Sequence, residues 1–361
     1  MTNTSFDPID RQIMNVLQSD FPLVEAPYRQ IAEQVGISEE DLMDRVRALK
    51  KKNVVRQVGA IFDTRRLGYK STLVAMKFAP DQLDFGAHLL NRHPGISHNY
   101  ARDGHFNLWF TLAVPPGRRV EDEVEMLARA AGAEETRLLP TIRFFKIGVN
   151  FDMVKQVSNA QKYFVPDGPG EQDSKRNGAN ASTEPGEGWN VAQELSERDI
   201  AFIMEMQEDL PVVSRPFDGM AERLGMTVQD LFSYADQMVE RRLMRRYSAV
   251  LYHRRAGFSA NAMIVWRVPE ERAQEVGEIM AQSPAVTHCY QRPTYPDWKY
   301  THFTMIHATS RTKCEEVADE IQKATGIDDR LLLYSTREYK KTRVRYFVED
   351  EFKIDAAVTT R

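Results

Sequence analysis

Apolar positions near the start of the chain recur at helical spacing: Ile9, Ile13, Val16 and Leu17 fall on one helix face. A second helix is predicted over residues 28–35, ending at Gly36, a residue suited to a helix C-terminus. Ser38 is a candidate N-cap for a third helix, which carries Leu42, Val46 and Leu49 on one side. A strand-rich wing follows at 54–62, and three helices with a wing make a winged helix-turn-helix. The pattern then changes. A strand at 71–78 precedes a helix at 83–91. Strands at 95–102 and 105–114 flank Asp103-Gly104, a strong hairpin signal. A helix at 120–131 and a last strand complete βαββαβ, a ferredoxin-like unit.

The whole succession then returns. Asp10, Pro22, Pro27, Gly36, Arg56 and Gly68 recur, at one constant offset and without a gap, as Asp199, Pro211, Pro216, Gly225, Arg245 and Gly257. Ile200, Ile203 and Met204, with the polar Gln207, repeat the first helical face. A strand at 260–268 and helices at 271–282 and 314–324 repeat the second unit. The chain is therefore expected to be α+β, a tandem repeat of winged helix-turn-helix plus ferredoxin-like domain. The predicted domains are 1–66 and 67–156, then 191–256 and 257–361. Residues 157–190, rich in Gly, Pro, Ser, Asn and charge, read as a flexible linker.

Composition narrows the function. With 42% apolar and 28% charged residues the chain has the balance of a soluble protein, and no stretch is apolar enough to span a bilayer. The N-terminus lacks the pattern of a secretory signal, so the expected location is the cytoplasm. The two cysteines, Cys289 and Cys314, are expected to be reduced thiols and are too few for an iron–sulfur cluster or a structural zinc site. A net charge of −4 lowers the expectation of nucleic-acid binding.

A helix-turn-helix followed by βαββαβ resembles the Lrp/AsnC regulators. The run from Asp103 to Phe110 is similar to that family's glycine-plus-acid motif, with Asn107 where Asp is usual. Three local features point to another branch. One is Ser97-His98-Asn99-Tyr100-Ala101-Arg102 with Phe106 to Phe110; another is Thr287-His288-Cys289-Tyr290-Gln291-Arg292, continuing to Trp298. The third is the pair of ends Phe145 to Asp152 and Arg337 to Phe347. Together they resemble the two subunits of the siroheme decarboxylase family, joined head to tail. The resemblance implies an intramolecular pseudo-dimer, with a homodimer left open. It also implies removal of the carboxyl groups of two siroheme acetates, leaving methyls and giving didecarboxysiroheme. That product serves d1-type heme or an alternative heme route, so siroheme, and other tetrapyrrole-pathway enzymes, are the implied partners.

Strand alternation puts His98, Tyr100 and Arg102 on one face, and likewise His288, Tyr290 and Arg292. On the next strand His105, Asn107 and Trp109 are expected to share a face. For the implied substrate, Arg102 and Arg292 suit carboxylates, Trp109 and Trp298 suit the ring plane, and Asn107 is a further contact. Loss of carbon dioxide leaves carbanion character on a methylene, which must be protonated. His98 and His288 are the first candidates for acid or orienting group, followed by His105, His302, Tyr100 and Tyr290. His98 or His288 as ligand to the substrate iron stays open. The macrocycle itself delocalises charge, so no separate cofactor is expected. A strand histidine is more often packed and hydrogen-bonded than catalytic, and the two tryptophans read equally as core. His88 and His93 receive no role; His253 and His307 stay unassigned.

Arg337, Tyr339, Lys341, Arg343 and Arg345 are expected on one face of the final strand, with Lys340 beside them. Two readings stand: an edge strand guarded by charge, or a carboxylate-binding rim. The alternatives to an enzyme are an Lrp/AsnC-type transcription regulator and a heme-sensing protein without turnover. Against the regulator, the candidate recognition helices begin Ser38-Glu39-Glu40-Asp41 and Thr227-Val228-Gln229-Asp230, which would repel phosphate, so DNA binding is not expected.

Overall fold

The computed structural model describes residues 6–19, 21–147, 151–152, 157–158, 191–251, 260–308 and 310–348. Residues 159–190, most of the predicted linker, lie outside them. The first unit contains α1 (Pro8–Ser19), α2 (Pro27–Val35), α3 (Glu39–Lys51), β1 (Val55–Phe62), β2 (Lys70–Lys77), α4 (Leu83–Asn91), β3 (Ile96–Arg102), β4 (Leu108–Val114), α5 (Val120–Ala131), β5 (Glu135–Pro140) and β6 (Arg143–Ile147). The second contains α6 (Glu197–Met206), α7 (Asp218–Arg223), α8 (Val228–Glu240), β7 (Met244–Leu251), β8 (Ala260–Trp266), α9 (Ala273–Gln282), β9 (Val286–Gln291), β10 (His302–Ala308), α10 (Arg311–Thr325) and β11 (Arg330–Lys341).

Local chemistry starts the helices where the pattern placed them. The Ser38 hydroxyl accepts from the Asp41 amide at 3.2 Å, and Thr227 with Asp230 closes a capping box on α8. The repeated aspartate of the first helix ties it to the third. Asp10 pairs with Arg45 at 2.9 Å, and Asp199 pairs with Arg241 at 2.7 Å and accepts from Tyr234 at 2.8 Å. The two helix-turn-helix units then merge. Phe21, Tyr28, Phe202, Phe217 and Tyr247 share one buried core, and β1 pairs antiparallel with β7 to form a ribbon between the units.

The ferredoxin-like units share one antiparallel sheet in the order β5-β2-β4-β3-β11-β8-β10-β9-β6. Helices cover its outer face in two separate cores. β11 is long enough to serve both units: its first half pairs with β8 and its second half with β3. Reciprocally, β6 leaves the first unit to pair with β9 of the second. Because Thr141 and Ile142 alone separate β5 from β6, the sheet curls until its ends meet. The Ile142 amide donates to Gln291 O at 2.9 Å, and Arg292 donates to Leu139 O. Each βαββαβ unit is thus present as expected, but neither is self-contained.

The exchanged strands are fixed by matching lysines. Lys146 donates to Ser283 O at 2.9 Å, just past α9; Lys340 donates to Asn91 O at 2.7 Å and His93 O at 3.0 Å, at the end of α4. Burial holds both amines down, at about 8. Each cation completes a helix C-terminus of the other unit, so Lys340, expected beside a carboxylate-binding rim, is committed to a helix end. Phe145 seals the same junction: a Cβ added at Gly277 of α9 would clash with its ring. Gly277→Ala is expected to destabilise the protein by about 1–3 kcal/mol in urea unfolding. Adding Phe145→Leu should recover part of that loss, and a strictly additive pair would contradict the contact.

Candidate active site

Strand alternation survives at the centre of the sheet. The Asn99 amide reaches outward to Ala87 O at 3.1 Å, and the Cys289 thiol lies 3.7 Å from Gly277 O. Their neighbours His98, Tyr100 and Arg102, and His288, Tyr290 and Arg292, therefore share the inner face. The two copies match in detail. Ser97 Oγ meets His98 Nδ1 at 2.9 Å, and Thr287 Oγ1 meets His288 Nδ1 at 3.0 Å. Each histidine lies near its tyrosine, with centroids 6.4 and 6.1 Å apart, and each arginine lies over that tyrosine, at 5.5 and 4.7 Å.

A cavity of about 370 Å³ opens where the wing ribbon crosses this inner face. It is composite. His98, Thr111 and the end of β1 come from the first unit; Tyr290, Arg292, Arg245 and the arm after β11 come from the second. Four guanidinium groups line it, those of Arg65, Arg245, Arg292 and Arg343, against one carboxylate, Asp63. Asp63 pairs with Arg245 at 2.6 Å and accepts the amides of Arg65 and Arg66. Arg65 lies over the Phe144 ring at 5.0 Å. Arg343 donates to Gly59 O at 2.7 Å, Ala60 O at 3.0 Å and Ser248 O at 2.8 Å, so it rivets the arm to both wings. Burial lowers Arg292 and Arg343 to about 10, which leaves both charged near neutrality.

The histidines behave differently. Burial, with the Lys341 cation nearby, lowers His98 to about 3 and His288 to about 4. Near neutral pH both imidazoles are uncharged, so neither stores an acidic proton. His98 lines the cavity whereas His288 does not. His307 faces the same interior, held neutral by burial, Lys341, His288 and Arg102.

Several expected site residues stand elsewhere. His105 lies in the turn before β4, exposed and paired with Glu135 at 3.0 Å. Asn107 bridges the Phe78 amide and carbonyl at 2.9 and 2.8 Å, so it caps the neighbouring strand. Neither shares the inner face with Trp109, because regular alternation begins only at Leu108. Trp109 and Trp298 pack on each other at 5.4 Å inside an apolar core and do not line the cavity. His302 points to the helices, with Nε2 2.9 Å from Ala273 O and its ring stacked on Phe145 at 5.5 Å. Tyr100 and Arg102 are buried inside, Arg102 donating to Leu333 O at 2.9 Å. The predicted cationic stripe does not form. Register shifts in β11 after Ser335 and Glu338, and the strand's end at Lys341, rotate its members apart. Arg337 pairs with Asp84 at 2.7 Å outside, Lys341 sits opposite His98, Arg343 enters the cavity, and Arg345 pairs with Glu208 at 2.9 Å. Arg65 and Arg245 were not foreseen, although the recurrence of Arg56 as Arg245 was visible in the repeat.

Three cations of α3 are committed within the protein. Arg45 is tied to Asp7, Asp10 and Asp41, Arg47 to Asp44 and Val212 O, and Lys50 to Asp209. Glu39 at the start of α3 accepts from Ser214 of the other unit at 2.6 Å. Among the described residues no helix is long and apolar enough to cross a membrane. Both cysteine thiols are buried, and burial pushes Cys314 up to about 11.

Fold and cavity together define a fused, two-copy AsnC-like protein with a predominantly cationic cavity. Family models agree on both layers. The AsnC-like ligand binding domain matches residues 66–146 and 255–340, and the siroheme decarboxylase NirDL-like HTH domain matches residues 10–56 and 199–245. A siroheme decarboxylase of Hydrogenobacter thermophilus is 38% identical over 94% of this chain and 95% of its own length. A siroheme decarboxylase beta subunit of Methanosarcina barkeri is 44% identical over 42% of this chain and 99% of its own. The crystal structure of the siroheme decarboxylase NirDL in complex with an iron-uroporphyrin III analogue superposes with a TM-score of 0.66 at 32% identity, covering 95% of each chain. The chain belongs to the siroheme decarboxylase family.

Proposed function

We propose that this protein removes carbon dioxide from two acetate side chains of siroheme, giving didecarboxysiroheme for d1-type heme or an alternative heme route. The observation that carries the reading is the cavity wall of Arg65, Arg245, Arg292 and Arg343, opposed by a single carboxylate that is already paired. Such a wall favours a ligand with several carboxylates. The volume falls in the roughly 300–1,000 Å³ range of small-molecule sites, which suits one edge of the macrocycle with its acid arms.

Physical chemistry assigns the arms. A guanidinium that holds the reacting carboxylate would stabilise a charge that the reaction removes, and so would slow it. Arg65, Arg245 and Arg292 therefore grip the carboxylates that do not react, while Arg343 holds the arm after β11 in place. The binding energy of those three arginines holds the reacting acetate toward the less polar wall at Leu73. The bond from methylene to carboxyl carbon breaks, carbon dioxide leaves, and the electron pair spreads into the attached pyrrole ring. On this account no separate cofactor is needed, and the iron belongs to the substrate. His98, neutral and held by Ser97, orients the substrate by hydrogen bonding. The functional unit is the pseudo-dimer within one chain, which would pass its product to other enzymes of tetrapyrrole synthesis in the cytoplasm.

Anaerobic incubation of the purified protein with siroheme, followed by mass spectrometry, tests the reading. Product lighter by two carbon dioxide units is expected. Unchanged siroheme after prolonged incubation would overturn the assignment.

A further inference from the structure

Resting on that reading, we propose that Tyr290 is the proton donor that converts the decarboxylated methylene to a methyl, and that Arg292 is its positioning residue. The carbanion needs a group that carries a transferable proton at neutral pH and stands on the cavity wall. His98 also stands on the wall, but its Nδ1 is engaged by Ser97 Oγ at 2.9 Å and a neutral imidazole N–H is a weaker acid than a phenol; His288 does not line the cavity. Tyr290 meets both conditions. It lines the cavity, and its hydroxyl makes no hydrogen bond to the described residues, so the O–H remains available to a ligand.

The surroundings suit the step. The Arg292 guanidinium lies 4.7 Å from the Tyr290 ring centroid and is itself fixed on Leu139 O of the other unit, with Thr141 Oγ1 3.4 Å away. Arg65 and Arg245 line the same cavity, and their charges, with that of Arg292, act on the phenol in the direction that favours its anion. Burial outweighs them and keeps the group protonated until a strong base arrives. In the step, the phenolic O–H bond breaks and a C–H bond forms at the methylene carbon. The electron pair left by the departing carbon dioxide makes the new bond, and the phenolate faces the three guanidinium groups. Water entering the cavity returns the proton. One proton is consumed and one carbon dioxide released for each acetate, without oxidant or reductant. The equivalent tyrosine of the first unit, Tyr100, does not line this cavity, so the inference also places the productive proton donor in the second unit.

The test compares wild-type protein with Tyr290→Phe and Arg292→Lys in the full chain. Binding is followed by titration with iron-uroporphyrin III, and turnover is measured with siroheme. Tyr290→Phe is expected to lower kcat by about 10²–10⁴-fold while changing iron-uroporphyrin affinity less than about threefold. In mixed light and heavy water, the ratio of hydrogen to deuterium in the new methyl should also change, because the immediate donor is no longer a phenol. Arg292→Lys should lower kcat and leave that isotope ratio as in wild type, since Tyr290 still donates. Wild-type kcat or a wild-type isotope ratio in Tyr290→Phe would overturn the assignment, as would loss of iron-uroporphyrin binding by that variant. If wild-type protein itself releases no carbon dioxide, the decarboxylase reading fails; if wild type turns over and Tyr290→Phe matches it, the proton donor alone fails.

Discussion

Produced separately, residues 1–156 and residues 191–361 should each turn over siroheme at least about 100-fold more slowly than the intact chain, and mixing them should restore activity. Neither unit can build the cavity alone. His98 and Arg65 belong to one, whereas Tyr290, Arg292, Arg245 and Arg343 belong to the other. Nor can either unit complete its own sheet: β3 takes its outer neighbour from β11, and β9 takes its own from β6. A separated first unit would expose the β3 edge and leave Trp109 without Trp298. It would also leave Tyr28 without Pro211 O and the Phe21 amide without Tyr247 O. Those losses make each fragment prone to self-pairing and make reassociation favourable, because the same edges and apolar faces are buried again. A relative of half this length, a beta subunit aligned over 42% of the chain, shows that such a unit exists as a separate polypeptide. Size-exclusion chromatography and turnover, each fragment alone and then mixed, check the outcome. An active isolated fragment would show that the composite cavity is not where the chemistry happens.

The same strand exchange marks where sequence reasoning stopped. Period-two alternation located His98-x-Tyr100-x-Arg102 and its copy on one face, because central strands with buried neighbours have a fixed register. Alternation failed for Arg337 to Arg345. That stretch serves two units in turn, and its register shifts at Ser335 and Glu338 permute the faces. No single-chain periodicity encodes a bulge whose purpose is to change partners. The hairpin signal at Asp103-Gly104 was correct, yet Asn107 was spent on Phe78, so the following strand began later than the pattern allowed. The wing arginines escaped for another reason. Arg65 and Arg245 are distant in sequence from the His-x-Tyr-x-Arg strands and meet them only because the β1–β7 ribbon folds over the curled sheet. The acidic starts of α3 and α8, by contrast, were legible and have a structural counterpart: Glu39 is occupied in joining the two helix-turn-helix units.

Acid should destabilise this protein well before its carboxylates titrate. Three imidazoles face the interior of the curled sheet, and each is pushed down from the ordinary value of 6.5: His98 to about 3, His288 to about 4, and His307 well below 6.5. Burial is the first cause in each case and the Lys341 cation the second; Arg56, Arg102, Arg292 and Lys146 contribute to individual members. A histidine lowered in this way is neutral in the fold and takes a proton on unfolding. Its contribution to stability is therefore complete above about pH 6.5 and declines as pH falls toward 4, because only the unfolded chain binds the extra proton. Each group adds a slope of up to about 1.4 kcal/mol per pH unit in that window. The carboxylates act lower. Asp199, held at about 2 chiefly by Arg241 against the opposing effect of burial, loses its contribution only below the ordinary aspartate value of 3.8. Urea unfolding at pH 7.5 and pH 5.0 should therefore show a large loss of stability at the lower pH. His288→Gln and His307→Gln should each reduce the slope. A midpoint that does not move between those pH values would mean that the interior already accommodates imidazolium, and the neutral state assigned to His98 at the cavity wall would have to be abandoned with it.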